Sequence, residues 1–340
     1  MDLYDKKIIN LLIKNCRYSL IDIAKAVNLS KDSVKYRINR LEKQKIITGF
    51  SLMIDPRQFG YFVNHLLLKL KTISEIENQD ILKKLKEHPN ITFISSQSGT
   101  FDMQIIFHTK TIYKKNQILE EILSIFKDLI TNYKEVTHIR DYSFSFLFSD
   151  IDVNISVKEK NDSSFSKLIE KNKKVTQQIP QEIINYDKID REIIKAITKN
   201  PREKLNTIAE KIGINNETVK NRIKSLIKKK AIYRFSLYPN HSQLDLFNYM
   251  LLFKIEILPK EIEKKLNNFL ENSIFILYAA KFNGAYNLFI YILAKNPNEF
   301  TAHLNELKNI LDDYIIEYDL SILTQIHKFQ LISDDLLIEK

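Results

Sequence analysis

Two segments of the sequence concentrate side chains that can hydrogen-bond to base edges and neutralise phosphates. In the segment 31–44, Val34, Ile38 and Leu41 recur at helical spacing, so at about 100° per residue the opposite face points away from a core. That face and its flanks carry Lys31, Asp32, Ser33, Lys35, Tyr36, Arg37, Asn39, Arg40 and Lys43. The matching residues of the second segment are Glu217, Thr218, Lys220, Asn221, Arg222, Lys224, Ser225 and Lys228. Amide, hydroxyl and cationic groups along one helix face predict contact with double-stranded DNA.

The distribution of charge also indicates a polyanionic partner. The net charge is +10; residues 1–60 hold 12 Lys/Arg against 6 Asp/Glu, and residues 186–245 hold 14 against 7. The basic excess is thus confined to two blocks, and the rest of the chain is slightly acidic. Two alternatives stay open: the cationic helix is a solvated face, or the chain is a sensor or assembly module that does not bind DNA.

The chain contains an internal repeat of nearly half its length. A shift of 185 positions places Asp5 on Asp190, Ala24 on Ala209 and Gly99 on Gly284 without a gap. The repeat predicts two copies of one two-domain unit. Residues 150–185 between the copies are rich in Lys, Asn, Ser and Gln, which predicts a linker with one short helix near 165–173.

Three helices are predicted in the first basic block. The first runs from Asp2 to Lys14, a short second helix ends at Asn28, and Ser30 caps a third helix that runs to about Gln44. Two short helices joined by a tight turn are typical of a helix-turn-helix. The segments 45–54 and 230–239 have the pattern of β-strands, which predicts a wing beside each third helix.

The region that follows each basic block predicts strands and helices in the order βαββαβ, a ferredoxin-like arrangement. In the first copy the helices are predicted over residues 80–88 and 115–130, and the last strand is predicted to begin at residue 137. The fold class is therefore α+β: two tandem copies of a winged helix-turn-helix followed by a ferredoxin-like sensor domain. The predicted boundaries are 1–60 and 186–245 for the two winged domains, 61–149 and 246–335 for the two ferredoxin-like effector and dimerisation domains, and 150–185 for the linker.

These motifs resemble the leucine-responsive and asparagine-synthase regulator (Lrp/AsnC) family. The resemblance is carried by Asp5, by the stretch from Ser19 to Pro56, and by the glycine turn SGTFDMQIIF, and it covers nearly the whole chain outside the linker. It implies a sequence-specific DNA-binding transcription regulator. It also implies ferredoxin-like (ACT/RAM-like) domains that pair and often bind an amino acid near the glycine turn. Pairing has two predicted forms, an intramolecular pseudo-dimer or a homo-oligomer through these domains.

The resemblance implies effector-binding residues at both glycine turns. They are Ser98, Gly99, Thr100, Phe101 and Asp102 in the first copy, and Asn283, Gly284, Ala285, Tyr286 and Asn287 in the second. Asn287 replaces Asp102, so a carboxylate that would accept a hydrogen bond from an amino group is missing in the second copy. In the alternative interpretation, Gly99 and Gly284 only permit tight hairpins and no ligand binds there.

The sequence offers little support for other classes of protein. No stretch of about 18 apolar residues predicts a membrane span, no secretory signal begins the chain, and we expect a cytoplasmic protein. Cys16 is the single cysteine and is interpreted as a core thiol; no metal site, catalytic residue or cofactor is predicted. One enzyme alternative is a siroheme decarboxylase of similar fold, because YNLFIYI faintly resembles those enzymes. The histidine expected two residues before Tyr286 is, however, Gly284.

Overall fold

The computed structural model describes residues 1–72, 74–144, 165, 168–169 and 182–338. Most of the predicted linker lies outside the described residues; of its predicted short helix, Phe165, Leu168 and Ile169 are described, and they are helical. The chain divides into two compact units, and each unit contains parts of both copies. Residues 1–55 and 184–245 belong to one, here called the helix-turn-helix unit; residues 56–144 and 246–338 belong to the other, the sheet unit. The domain boundaries inferred from the sequence stay predictions.

Among the elements whose bounds the structure describes, the helix-turn-helix unit contains three α-helices and one strand from each copy. The first copy provides α1 (Leu3–Lys14), α2 (Leu20–Val27), α3 (Lys31–Lys43) and β1 (Ile47–Ile54). The second provides α6 (Lys188–Lys199), α7 (Leu205–Ile212), α8 (Asn216–Lys228) and β6 (Ile232–Pro239). The side chains of Asp2, Ser19 and Ser30 cap the first three helices as their residue types favour, and Asn28 ends α2 with φ at 57°.

The predicted wings take a different form in the structure. β1 and β6 pair with each other in an antiparallel two-stranded sheet, so within the described residues neither copy builds a two-stranded wing of its own. Ser51 lies opposite Ser236, its equivalent at the 185-residue offset. Because a residue pairs with its own equivalent, a local twofold axis relates the two copies and passes through the centre of the small sheet.

The sheet unit confirms the ferredoxin-like order of elements in both copies. The first copy provides β2 (Phe62–Leu70), α4 (Glu75–Glu87), β3 (Ile91–Gly99), β4 (Met103–Thr109), α5 (Ile112–Phe126) and β5 (Ile130–Phe144). The second provides β7 (Phe247–Ile255), α9 (Lys260–Asn272), β8 (Ile276–Gly284), β9 (Leu288–Ala294), α10 (Pro297–Leu311) and β10 (Ile315–Phe329), followed by α11 (Asp334–Ile338). Each copy packs its helices on its own sheet, around apolar clusters that include Leu66 and Ile105 in one copy and Leu251 and Ile290 in the other.

The eight strands form one closed sheet in the order β10-β3-β4-β2-β5-β8-β9-β7. The last strand of each copy extends to the other copy, because β5 pairs with β8 and β10 pairs with β3. Val136 lies opposite Gly284 and Ser321 lies opposite Gly99, and these two pairs are again equivalent at the repeat offset. The copies therefore exchange strands reciprocally.

Several element bounds of the first copy differ from the prediction, and α4 begins at Glu75 rather than at residue 80. The strand predicted from residue 137 begins at Ile130, and the helix predicted to reach residue 130 ends at Phe126. Lys127 stops the helix because its φ is 53°, outside the helical region. In the ranges that the structure describes, no helix is both long and apolar enough to cross a bilayer.

Candidate nucleic-acid interface

The outer faces of α3 and α8 are open to solvent. On α3, Val34 and Leu41 are fully buried, whereas Tyr36 is 66% exposed. The other exposed positions of α3 are Lys31, Asp32, Lys35, Asn39 and Lys43, and Ser33 is half-buried. On α8 the exposed positions are Glu217, Asn221 and Lys228, and the half-buried ones are Thr218, Lys220, Lys224 and Ser225. The structure thus brings these sequence-predicted residues together on two accessible helix faces.

Arg37 and Arg40 are arranged differently from the other predicted contact residues. Arg37 donates to the carboxylates of Asp2 and Asp5 at 2.7 and 2.8 Å, and Arg40 donates to Asp5 at 2.5 Å. The hydrogen bonds that Arg37 donates to Asp2 and, next in effect, to Asp5 raise the pKa of Arg37 above its usual value. Helical angles alone place Arg40 outward and Arg37 on its flank, but long side chains can reach back along the helix surface. Both guanidinium groups therefore tie α3 to the start of α1.

The second copy retains half of this ion-pair network. Arg222 donates to Asp187 at 2.7 Å and to Asp190 at 3.2 Å. Ser225 occupies the position equivalent to Arg40, so the second arginine is absent. The backbone hydrogen bond at Asp190 and the bond from Arg222 together keep the pKa of the Asp187 carboxyl below its ordinary value.

Reciprocal contacts relate the two copies within the helix-turn-helix unit. The Arg17 guanidinium lies over the Phe235 ring at 5.4 Å from its centroid, and the Arg202 guanidinium lies over the Phe50 ring at 4.9 Å. These pairs are equivalent at the repeat offset, as expected for an isologous interface. The contacts join the copies beside the β1–β6 sheet, so α3 and α8 are presented as a related pair.

The predicted effector turns lie where the copies meet in the sheet unit. A Cβ atom added to Gly99 would lie 2.5 Å from the Leu320 carbonyl oxygen, and one added to Gly284 would lie 2.5 Å from the Glu135 carbonyl oxygen. The φ angles of these glycines are +136° and +133°. Each glycine therefore permits a close approach to the long strand of the other copy, a role beyond that of a hairpin residue.

The side chains of these turns are already engaged within the protein. Phe101 and Tyr286 are 2% and 3% exposed, and their rings meet edge to face with centroids 6.4 Å apart. The Thr100 hydroxyl donates to Asp319 at 3.1 Å, and the Tyr286 hydroxyl donates to the other oxygen of Asp319. Ser98 and Asn283 are exposed, and Ala285 is half-buried. Sequence reasoning missed Asp319, because its counterpart in the first copy is Lys134 and the repeat carries no signal there.

Asp102 and Asn287 have the same structural role in the two copies. Asp102 accepts from the backbone N–H of Leu70 at 2.8 Å and from Lys69 Nζ at 3.0 Å. Asn287 accepts from the backbone N–H of Ile255 at 2.9 Å and donates to its carbonyl oxygen. The exchange of Asp for Asn therefore leaves the bond to the end of the neighbouring strand intact.

A group of polar side chains lies between the two ferredoxin-like halves, and we call His65, Gln97, Gln104 and Tyr291 the polar cluster; the first three are buried and Tyr291 is half-buried. Gln104 accepts from the Tyr291 hydroxyl at 2.6 Å and from Gln97 Nε2 at 3.3 Å, and its own amide lies 3.0 Å from His65 Nδ1. Burial and the nearby rings of His138 and His108 lower the pKa of His65 well below its usual value, so this nitrogen is an acceptor. No pattern in the sequence indicates this cluster, because its members are far apart along the chain.

The remaining expectations concern metals and the cysteine. Cys16 is fully buried, and burial raises the pKa of its thiol to about 12, as expected for a core residue. Across the described ranges, no group of three or more His, Cys, Asp or Glu side chains is placed to hold a metal ion.

Known proteins resemble this chain in sequence. A family model described as winged helix-turn-helix DNA-binding matches residues 1–48 and 186–232. The HTH-type transcriptional regulator FL11 of Pyrococcus furiosus is 30% identical over 125 residues, which are 37% of this chain and 82% of that protein. The HTH-type transcriptional regulator Ptr1 of Methanocaldococcus jannaschii is 32% identical over 121 residues, which are 36% of this chain and 80% of that protein. One such relative therefore corresponds in length to about one copy of the repeat.

A solved structure resembles the two-copy arrangement. The siroheme decarboxylase NirDL superposes with a TM-score of 0.54 at 12% identity, over 97% of this chain and 94% of that one. At this identity the likeness concerns the fold alone.

Proposed function

Because this chain belongs to the Lrp/AsnC-like family of winged helix-turn-helix transcription regulators, we propose that its two recognition helices, α3 and α8, read a single DNA duplex together. The observation that carries this proposal is the pair of solvent-open faces on α3 and α8, held in one unit by reciprocal contacts. Exposed amides and hydroxyls on these faces, together with Lys224, contact base edges, and the other lysines contact phosphates.

Selection of bound duplexes from a random pool by the full chain tests sequence-specific reading. We expect one enriched motif, and binding to that motif should weaken steeply as salt rises, because phosphate contacts release counterions. Replacement of Lys43 and Lys228 by Ala should lower the slope of log affinity against log salt by about one unit for each phosphate that is no longer neutralised. The failure of any sequence to enrich would contradict specific regulation.

The chain acts as a single-chain pseudo-dimer. Support comes from the unequal inner faces of the two halves: His65, Gln97 and Gln104 of the first copy correspond to Met250, Phe282 and Phe289 of the second. In a pair of two first copies, Ile106 would replace Tyr291 and Gln104 would lose its hydroxyl donor. In a pair of two second copies, the Tyr291 hydroxyl would face Phe289. A buried polar group without a partner is costly, so unlike copies are the favoured pair.

Light scattering combined with small-angle X-ray scattering measures this directly. A compact particle of one 40.2 kDa chain is expected. A dimer with sheet domains exchanged between chains would overturn the single-chain form, although it would still contain unlike pairs.

An amino acid modulates DNA binding from the glycine turns. Two carboxylates lie at these turns: Asp102 accepts from the backbone N–H of the adjacent strand, and Asp319 accepts from the side-chain hydroxyls of Thr100 and Tyr286. An effector amino group binds Asp319 by replacing one of these hydroxyl donors. A panel of amino acids is added to the protein, and the melting temperature and duplex affinity are measured. One of them should change both in the parent protein and neither in Asp319→Asn; a panel without effect would remove the effector from the proposal.

The chain is a regulator and not an enzyme. A likeness of fold to a siroheme decarboxylase does not carry chemistry, and Gly284 stands at the position where a histidine was expected. His65 and Tyr291 of the polar cluster are already hydrogen-bonded to Gln104. Incubation with siroheme, followed by chromatography of the tetrapyrrole, should return it unchanged; a decarboxylated product would overturn this assignment.

A further inference from the structure

We propose that the chain recognises a non-palindromic duplex, in which α3 and α8 read two half-sites of different sequence in a fixed order. This inference rests on the proposed function of α3 and α8 as DNA readers. It concerns what the two helix faces read, and it follows from a comparison of equivalent exposed positions within the helix-turn-helix unit.

The two faces differ at their central exposed positions. Tyr36 of α3 corresponds to Asn221 of α8, and Asn39 of α3 corresponds to Lys224 of α8. Tyr36, Asn39 and Asn221 are exposed, and Lys224 is half-buried. Within α3, Tyr36 and Asn39 are three residues apart, as are Asn221 and Lys224 within α8. The two positions on each helix are therefore about 4.5 Å apart along the helix axis. That distance is comparable with the rise of about 3.4 Å between neighbouring base pairs.

The chemistry of these side chains assigns different bases to the two half-sites. An Asn side chain pairs with the N6 and N7 groups of adenine, a Lys ammonium donates to the O6 and N7 of guanine, and an apolar ring contacts the thymine methyl group. The α3 half-site therefore has a thymine at the Tyr36 position and an adenine at the Asn39 position. The α8 half-site has its adenine one helical turn earlier, opposite Asn221, and a guanine opposite Lys224.

The surroundings of Tyr36 reinforce this difference. A depression of about 410 Å³ beside Tyr36 is lined by Leu29, Asp32, Ser33, Arg37 and Arg40. Arg40 is fixed against Asp5 at 2.5 Å and forms one wall, whereas the second copy has Ser225 at this position. Tyr36 thus belongs to a surface shape that α8 cannot reproduce with its own residues.

Two pairs of lysines are alike in both copies and do not distinguish the half-sites. Lys35 and Lys220 are equivalent, as are Lys43 and Lys228. Cations at matching places give both helices similar attraction to phosphates, and phosphate contacts carry no direct sequence information. The equivalent contacts Arg17–Phe235 and Arg202–Phe50 relate the two readers by a local twofold axis, so the half-sites run in opposite directions.

Selection from random duplexes by the full chain is the primary test. We expect a motif with two unlike halves, in which inverting one half lowers affinity about ten-fold or more. A motif that is an inverted repeat would overturn this inference while leaving DNA reading in place. The absence of any enriched motif would overturn the proposed function itself, so the two failures are distinguishable.

Two variants that exchange the helix faces provide a sharper test. Tyr36→Asn with Asn39→Lys gives α3 the reading residues of α8, and the selected motif should become an inverted repeat of the α8 half-site. Asn221→Tyr with Lys224→Asn should bring the thymine and the adenine of the α3 half-site into the α8 half-site, without the wall that Arg40 forms beside Tyr36. All four positions are exposed or half-buried, so both variants should fold. Circular dichroism and the melting temperature check this. If both retained the parent motif, these residues would not read the bases and the inference would fail.

The matched control is Lys43→Ala with Lys228→Ala. These substitutions act on both helices at equivalent positions, so affinity should fall for every duplex and the motif should keep its unlike halves. A change in the symmetry of the motif in this control would contradict the division between base-reading and phosphate-binding residues.

Discussion

Tyr291 of the second copy donates a hydrogen bond to the side-chain carbonyl of Gln104 of the first copy at 2.6 Å, across the interior of the sheet unit. The repeat equivalents of these residues are Ile106 and Phe289, so the same bond cannot form in the other direction. The backbones of the two halves are therefore related by an approximate twofold axis, whereas the side chains at equivalent positions of the interface differ.

Replacement of Tyr291 by Phe should destabilise the full chain by about 1 to 3 kcal/mol, because the buried Gln104 oxygen loses its shortest hydrogen bond. The free energy of unfolding is measured by chemical denaturation. Tyr133→Phe is the control, since Tyr133 is 44% exposed and should lose little. Equal losses in the two variants would mean that the Tyr291 bond makes no specific contribution.

Gly99→Ala and Gly284→Ala should each lower the melting temperature strongly. A Cβ at either position would lie 2.5 Å from a carbonyl oxygen of the other copy's long strand, on a backbone with positive φ. Gly213→Ala is the matched control: φ is +77° there, but nothing lies within 4 Å of the added Cβ. It should lose only the backbone penalty of about 1 kcal/mol. Similar losses in all three variants would contradict the close approach between the copies.

Asp5→Asn should cost more stability than Asp190→Asn. Asp5 is 1% exposed and pairs with both Arg37 and Arg40, whereas Asp190 pairs with Arg222 alone at 3.2 Å. The first substitution should cost about 2 kcal/mol and the second about 1 kcal/mol or less, because the arginines stay partly solvated. Unfolding followed by circular dichroism compares the variants, and a larger loss in Asp190→Asn would reverse the assignment.

Stability should fall as the pH drops below about 6.5. Burial, with a smaller effect of His138, lowers the pKa of His108 to about 3, and burial lowers the pKa of His241 to about 4. Unfolding returns each ring to its ordinary pKa, so the unfolded chain binds more protons in acid than the folded chain does. The free energy of unfolding is therefore at its full value above pH 6.5 and falls as the pH drops toward the folded-state pKa values. At pH 5 each ring accounts for a loss of about 2 kcal/mol.

His108→Leu tests this pH dependence, because the second copy already has Leu293 at the equivalent position. The variant should lose less stability than the parent between pH 7.5 and pH 5, as measured by chemical denaturation at both values. Tyr133→Phe is again the control, and its loss of stability between the two pH values should match that of the parent. An unchanged pH dependence in His108→Leu would show that the ring is protonated without cost.

Local patterns were sufficient to predict most of the helices and strands. Capping by Asp2 and Ser30 and the left-handed end of α2 at Asn28 follow from residue type, and they set the bounds of the first three helices. Alternating and helical apolar periods likewise predicted the ferredoxin-like order. The start of β5 was missed because residues 130–136 mix polar and apolar types, and pairing with β2 rather than an internal pattern holds that segment in a strand.

Which copy supplies each contact could not be read from the sequence. β1 pairs with β6 of the other copy, and Arg40 turns toward Asp5. Helical angles and strand patterns do not specify such tertiary partners, so neither contact could be predicted. The polar cluster and the approach of Asp319 to Thr100 involve residues separated by most of the chain. The outward faces of α3 and α8 could be predicted from the sequence, because they depend on local periodicity alone. Their role in binding DNA stays a prediction.

The pairing of Ser51 with Ser236 has a consequence for how such a molecule can change over time. In an assembly of identical subunits every substitution is present twice, so both sides of a symmetric contact must accept it together. Here one polypeptide encodes both sides, and an inherited change alters a single side while its counterpart is retained. After tandem duplication, the side chains of each half can therefore diverge separately, while the symmetric backbone pairing between the halves is retained.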